Sequence, residues 1–199
     1  MIVVDVEATC LDPKRHSIVS IGAVDFDNPD YQFYRECRVW DGAEVSKSAL
    51  DVNVFGRDEI LDAAKMSLED AIDDFIKWAD ACSDKTLAGV NPSFDRDFLK
   101  ASAEREGIKW DFAYRTVDLH SLCFAHYLSR EVDPPMKNKH TGVTSDKTYE
   151  HVGLPDEPKP HNALTGAKME AEAFSRLIKG KNLLEEYESY VLPEYLKKA

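Results

Sequence analysis

Asp5 and Glu7 stand two residues apart in the opening run MIVVDVEA. If that run is a strand, its period of two puts both carboxylates on one face of a sheet. Two carboxylates so close repel each other, and burying them without a partner is costly. The bland alternative is a solvated strand end. Val3, Val4 and Val6 argue against it, because they mark the strand as buried. Buried paired carboxylates call for a cation, and an all-oxygen donor set suits Mg²⁺ or Mn²⁺.

Other polar groups carry weaker signals. Lys14-Arg15-His16 and Lys137-Asn138-Lys139-His140 are basic runs that could meet phosphate, although solvated surface charge is the default for such runs. Cys10, Cys37, Cys82 and Cys123 lack C-x-x-C spacing. They read as reduced thiols of a cytoplasmic protein, neither a zinc site nor a disulfide framework. Acidic residues outnumber basic ones by 37 to 25, for a net charge of −12. That balance opposes non-specific binding to long polyanions. It does not oppose a grip on a few nucleotides through divalent cations, which supply the missing positive charge. No apolar run approaches the roughly 18 residues that span a bilayer, so no membrane partner is expected. Met1 to Val4 are apolar, but Asp5 and Glu7 interrupt them and no basic segment precedes them, so no signal peptide is expected.

The elements that must position the carboxylates can be read from periodicity. Residues 1–6, 17–26 and 31–40 read as three strands in an antiparallel meander. Helical spacing follows over 56–64 and 67–83. In the second stretch Leu68, Ala71, Ile72, Phe75, Ile76 and Ala79 recur at threes and fours, with Ser67 as N-cap. Strands over 86–90 and 115–118 alternate with helices over 93–106, stopped by Gly107, and from 119 to about 129. A loop over 130–143 leads to a short helix, 144–152, ended by Gly153. A long helix covers 163–179, and a helical segment 182–199. This pattern predicts an α/β fold with one central mixed five-stranded sheet flanked by helices. The 199 residues suffice for one domain, 1–180, with 181–199 as a C-terminal helical extension packed on it.

Four segments together resemble the DEDDh family of 3′→5′ exonucleases, which includes ribonuclease T, oligoribonuclease and polymerase proofreading exonucleases. Asp5-Val6-Glu7-Ala8-Thr9 is similar to the first motif. Asn91-Pro92-Ser93-Phe94-Asp95 is similar to the second, with Asp95 as its carboxylate. Arg115-Thr116-Val117-Asp118-Leu119 resembles the segment between the second and third. Pro160-His161-Asn162-Ala163-Leu164 resembles the start of the third. Alone, His161 would read as a helix-start residue; behind two carboxylate motifs it reads as the family's histidine. The resemblance implies a ribonuclease-H-like fold and release of nucleoside monophosphates from 3′ ends of single-stranded RNA or DNA and short oligonucleotides. It implies two Mg²⁺ or Mn²⁺ ions about 4 Å apart, held by Asp5, Glu7 and Asp95. His161 would be the general base, a role that an ordinary imidazole pKa near about 6.5 suits. Ala8, Thr9, Leu11, Asn91 and Phe94 would meet the substrate, Leu11 as a wedge on the last base and Thr9 at the 3′-hydroxyl. By analogy, a homodimer is compatible with the family. Asp97 and Asp118 read as structural.

The family places a fourth carboxylate, an Asp, five residues after the histidine, where this chain has Gly166. Glu170 lies one helical turn further, about 6 Å along the axis. Its side chain would lean toward the N-terminus, across a position with no side chain. In this reading Leu164, Ala167, Ala171, Phe174 and Ile178 form the buried stripe and Glu172 points away from the site. Glu170 as the fourth metal ligand is one alternative. A weakened homologue that binds a 3′ end or a protein is another. A ribonuclease-H-like endonuclease is a third, which the His161 motif disfavours.

Overall fold

The computed structural model describes residues 1–53 and 55–197, the side chains of 51–53 excepted. Its main sheet has five strands in the order β3-β2-β1-β4-β5: β1 (Ile2–Ala8), β2 (Ile18–Asp25), β3 (Gln32–Glu36), β4 (Leu87–Gly89) and β5 (Val117–Asp118). β1, β2 and β3 are antiparallel neighbours, while β4 runs parallel to β1 and β5 parallel to β4. The helices are α1 (Lys47–Asn53), α2 (Arg57–Ile60), α3 (Leu68–Asp80), α4 (Ser93–Arg105), α5 (Leu119–Ser129), α6 (Ser145–Val152) and α7 (Ala163–Lys179).

Alternation along β1 divides the interior into two layers. Ile2, Val4, Val6 and Ala8 face the side of α3 and α4, where they join Ile72, Phe75, Phe98 and Leu99. Val3 faces the other side with Ala167 and Phe174 of α7. Asp5 and Glu7 share the parity of Val3, so the sheet turns both carboxylates toward α7. Ser67 begins α3 as expected, its hydroxyl accepting from the Asp70 amide at 3.0 Å. α7 begins at Asn162, whose side-chain oxygen accepts from the Leu164 and Thr165 amides at 3.1 and 3.2 Å. The same side chain donates to the Tyr34 hydroxyl on β3 at 2.9 Å. This capping residue thus ties the start of α7 to the sheet edge.

Several expectations need correction. The predicted helix over 56–64 is the single turn α2, in which Ile60 alone is buried, and α1 before it was not expected. The loop 130–143 carries a short hairpin of β6 (Met136–Lys137) and β7 (His140–Thr141). Its turn residues Asn138 and Lys139 have φ of 50° and 66°, the left-handed pair of a tight two-residue hairpin. Within 182–199 there are two single 3₁₀ turns, Glu185–Tyr187 and Glu194–Leu196, in place of a continuous helix. Residues 198–199 lie outside the described residues.

α7 is also buried on more sides than one stripe. Ile178 is 39% exposed, whereas Glu172 is fully buried and bonded to Arg176 at 2.7 Å. The Arg176 guanidinium, also fully buried, donates to the carbonyls of Val152, Gly153, Tyr187 and Tyr190. The second Glu172 oxygen accepts from the amides of Leu183 and Leu184. Both charges are therefore satisfied, and the chain after α7 is held against it. Among the described residues no helix is long and apolar enough to cross a membrane.

Candidate active site

β1 and β4 pair only at Ile2–Leu87 and Val3–Ala88. Beyond Val3 the β4 side of β1 is open, and the Val6 amide donates instead to the Asp95 carboxylate at 3.0 Å. Asp95 sits in the first turn of α4 and is 4% exposed. That bond fixes the second-motif carboxylate beside the carboxyl end of β1, where Asp5 and Glu7 emerge.

Three glycines shape the space around them. Gly22 is the β2 partner of Asp5, and a Cβ there would lie 2.1 Å from the Ala163 carbonyl carbon. Only glycine lets the first turn of α7 come so close to the sheet. A Cβ on Gly166 would lie 2.2 Å from Asp5 Oδ2, and one on Gly89 would lie 2.9 Å from Glu170 Oε2. The room over Gly166 is thus used by Asp5, while Glu170 reaches past it toward β4. Both results were beyond a reading of helix periodicity alone.

The resulting pocket, of about 200 Å³, is lined by Asp5, Glu7, Val90, Ser145, Tyr149, Glu157, His161, Gly166 and Glu170. No lysine or arginine lines it. His161 is partly exposed at its rim, with Nδ1 3.5 Å from Glu157 Oε2. The Glu157 side chain is 9% exposed. Sequence reasoning missed Glu157, Tyr149 and Ser145. For Glu157 the available signal was an acid four residues before the motif histidine, inside a proline-containing connection.

The electrostatics follow from this crowding. Burial pushes the Asp5 carboxyl well above the usual range, and the charges of Glu170, Asp95, Glu7 and Glu157 push the same way. Burial raises Glu7 to about 7, against a lowering by His161. Burial likewise raises Asp95 to about 7, against the bond from Val6. Glu170 is raised well above its ordinary value by burial and then by Asp95, and Glu157 is raised by burial. One oxygen each of Glu157 and Glu170 is buried with no hydrogen-bond partner.

These donors fit a hard divalent cation in kind. They are all carboxylate oxygens, they carry excess negative charge, and two of them are orphaned. Among the described residues no three acidic, imidazole or thiol groups form a ready-made metal site, so the fit is one of chemistry and neighbourhood.

The other expected residues are placed less uniformly. Thr9 is fully buried, its hydroxyl donating to the Glu44 carbonyl and accepting from the Ser17 amide. Both of these bonds commit the Thr9 hydroxyl to the chain, which leaves the neighbouring amides of the loop as the other candidates for a 3′-hydroxyl. Ala8 is buried, and Leu11 is 78% exposed. Asn91, at φ 54°, accepts from Ser93 through its side chain, and Phe94 packs on Phe98. Asp118 caps α5 and accepts from the Asn91 amide, and Asp97 pairs with Arg96. Arg15 is paired with Glu44, while Lys137 and Lys139 lie on the exposed hairpin.

Comparison with known proteins adds the following. The Rv2179c-like 3′–5′ exoribonuclease domain family matches residues 1–178. The PolC-type DNA polymerase III of Thermotoga maritima is 25% identical over 178 residues, which cover 89% of this chain and 12% of the polymerase. The nuclease domain of 3′hExo, a DEDDh family member solved bound to rAMP, superposes with a TM-score of 0.69 at 16% identity. That likeness covers 92% of this chain and 94% of the other. E. coli exonuclease I, in complex with a 5cy-dT13 oligonucleotide, gives 0.72 at 14% identity, over 90% of this chain and 40% of the other. The likeness to these structures shows the ribonuclease-H-like fold: a mixed five-stranded sheet flanked by helices.

Proposed function

We propose, on the premise that this chain belongs to the Rv2179c-like 3′–5′ exoribonuclease domain family, that it removes nucleotides one at a time from 3′ ends of single-stranded or short nucleic acid. The observation that carries this is a single one: Asp5 and Glu7 of β1, Asp95 of α4, His161 and Glu170 converge at the carboxyl end of β1. Asp5, Glu7 and Asp95 would hold Mg²⁺ or Mn²⁺, with a further carboxylate of the pocket, Glu170 or Glu157, completing the set. When bound, such ions neutralise the scissile phosphate and the charge that develops on it.

The chain's own residues supply the rest. The pocket has no cationic side chain, so a phosphate is repelled from it until its carboxylates are neutralised. His161 stands at the rim with one face open, where it takes the proton of the attacking water. Leu11, largely exposed in the loop after β1, would stack on the terminal base. The exoribonuclease description of the family makes RNA the first substrate to test. The DNA-bound relative makes DNA the second.

The experiment uses 5′-labelled single-stranded RNA and DNA, each with a free or a 3′-phosphorylated end, in Mg²⁺ or Mn²⁺. A ladder shortening stepwise from the free 3′ end supports the proposal. Internal cuts, or full activity in excess chelator, refute it. Gly166 favours one second reading, a binding homologue with weakened chemistry; it would show retention of oligonucleotide without a ladder.

A further inference from the structure

The carboxylates of the pocket converge on Asp5. Glu170 lies among Asp95, the Val90 amide, Glu157 and Asp118, with Oε2 toward Gly89 of β4. Glu157 lies beside Glu7 and His161. Asp5 feels the charge of both glutamates. The family position for the fourth acid is Gly166, and the group nearest to it after Asp5 is Glu157, whose Oε1 is 3.5 Å from where a Cβ would stand.

We propose that Glu157 is the fourth carboxylate of this site. It enters from the loop before α7, occupies the space beside Gly166, and ligates a divalent cation together with Asp5 and Glu7.

Three observations support the assignment independently of the acidic crowding. The Glu157 side chain is nine-tenths buried although its loop neighbours Asp156, Pro158, Lys159 and Pro160 are exposed. Its Oε1 has no hydrogen-bond partner, in a place where a buried carboxylate oxygen ordinarily takes one. Its Oε2 faces Nδ1 of His161, so the two oxygens are divided between an imidazole and the pocket. The absence of a side chain at 166 then has a physical reason. Asp5 lies where a Cβ on residue 166 would be, and an acid at position 166 could not enter without displacing it. The fourth carboxylate is delivered from a different element. Glu170 lies one turn further along α7, close to Asp95.

The inference rests on the metal-dependent reading above, and the test separates the two. Mn²⁺ binding to the full chain is measured by calorimetry without nucleic acid, alongside the melting temperature with and without Mn²⁺. The proteins are wild type, Glu157→Gln and Glu170→Gln. Wild type is expected to bind Mn²⁺. Glu157→Gln is expected to bind it at least tenfold more weakly, or with one ion fewer. Its metal-free melting temperature should be unchanged or higher, because one of five crowded negative charges is gone. Its rise in melting temperature on adding Mn²⁺ should be smaller than that of wild type. If wild type binds no Mn²⁺, both this inference and the reading beneath it fail. If wild type binds and Glu157→Gln binds equally, this inference alone fails. It also fails if the metal-free variant is markedly less stable or unfolded, since Glu157 is then a structural tie to His161.

Discussion

Replacing Gly166 by alanine separates the site's geometry from the helix's stability. By propensity alone the change should help, since glycine in a helix costs about 1 kcal/mol relative to alanine, and less in a first turn. The structure opposes that expectation. The new methyl would stand 2.2 Å from Asp5 Oδ2 and 3.0 Å from Asp5 Cγ. An ordinary contact needs more than about 3 Å, so the carboxylate must move by about 1 Å or more. The helix cannot retreat easily, because Asn162 caps it and its first turn rests on Gly22. Overpacking of this kind costs about 1–3 kcal/mol, which the propensity gain partly offsets. The melting temperature should therefore change by only a few degrees. Activity should not be spared, because a 1 Å misplacement at a reacting centre is worth about 10²-fold. The assay is single-turnover cleavage of a 5′-labelled oligonucleotide in saturating Mn²⁺, beside thermal melting. Gly166→Asp should fail in the same way, since it adds the same Cβ; restoring the family's acid should not restore the family's site. Activity of Gly166→Ala within about threefold of wild type would refute the reasoning.

Asp5→Asn should abolish cleavage while leaving the protein folded, as read by circular dichroism; retained activity would remove Asp5 from the chemistry. His161→Ala should slow the single-turnover rate by about 10²–10⁴-fold with oligonucleotide binding little changed, and an unchanged rate would refute its role as base. The metal-free protein should lose stability as pH rises from about 4 to above 7. Glu7 and Asp95 titrate near 7 when folded, above their ordinary 4.5 and 3.8, so the folded state holds protons that the unfolded chain releases. The loss is on the order of 3 kcal/mol for Glu7, at 1.36 kcal/mol per pKa unit, and Mn²⁺ should reverse it at pH 8; a melting temperature flat across this range would refute the crowding. Arg176→Met should cost about 3–5 kcal/mol in chemical denaturation, because it strands a buried Glu172, and a change under about 1 kcal/mol would contradict the role given to that pair.

The sequence made legible what depends on local period. Asp5 and Glu7 share a face because β1 alternates, and α7 spans 163–179 because its cap residue, apolar spacing and terminal Gly180 all agree. Glu170 was found by counting one helical turn. What escaped depends on contacts between distant segments. Glu157 has no periodic element around it, so nothing in its spacing shows that it turns inward. Thr9 is buried by the loop that carries Glu44, 35 residues away. Glu172 does point away from the site, but its burial was not legible, because its donors include main-chain amides of a later segment, which a side-chain pattern does not reveal. The helix over 56–64 was overextended because polar helical spacing does not by itself provide a surface to dock on.

The Glu172–Arg176 pair bears on how the protein comes into being on the ribosome. Two of the carbonyls that accept from the Arg176 guanidinium belong to Tyr187 and Tyr190, and the amides that donate to Glu172 belong to Leu183 and Leu184. A nascent chain that ends before these residues emerge has a last helix whose two interior charges lack part of their solvation, so that helix is poorly seated on the sheet. Glu170 rides on the same helix, while Asp5 lies on β1, far earlier in the chain. The pocket therefore closes only after the segment through Tyr190 has packed against α7.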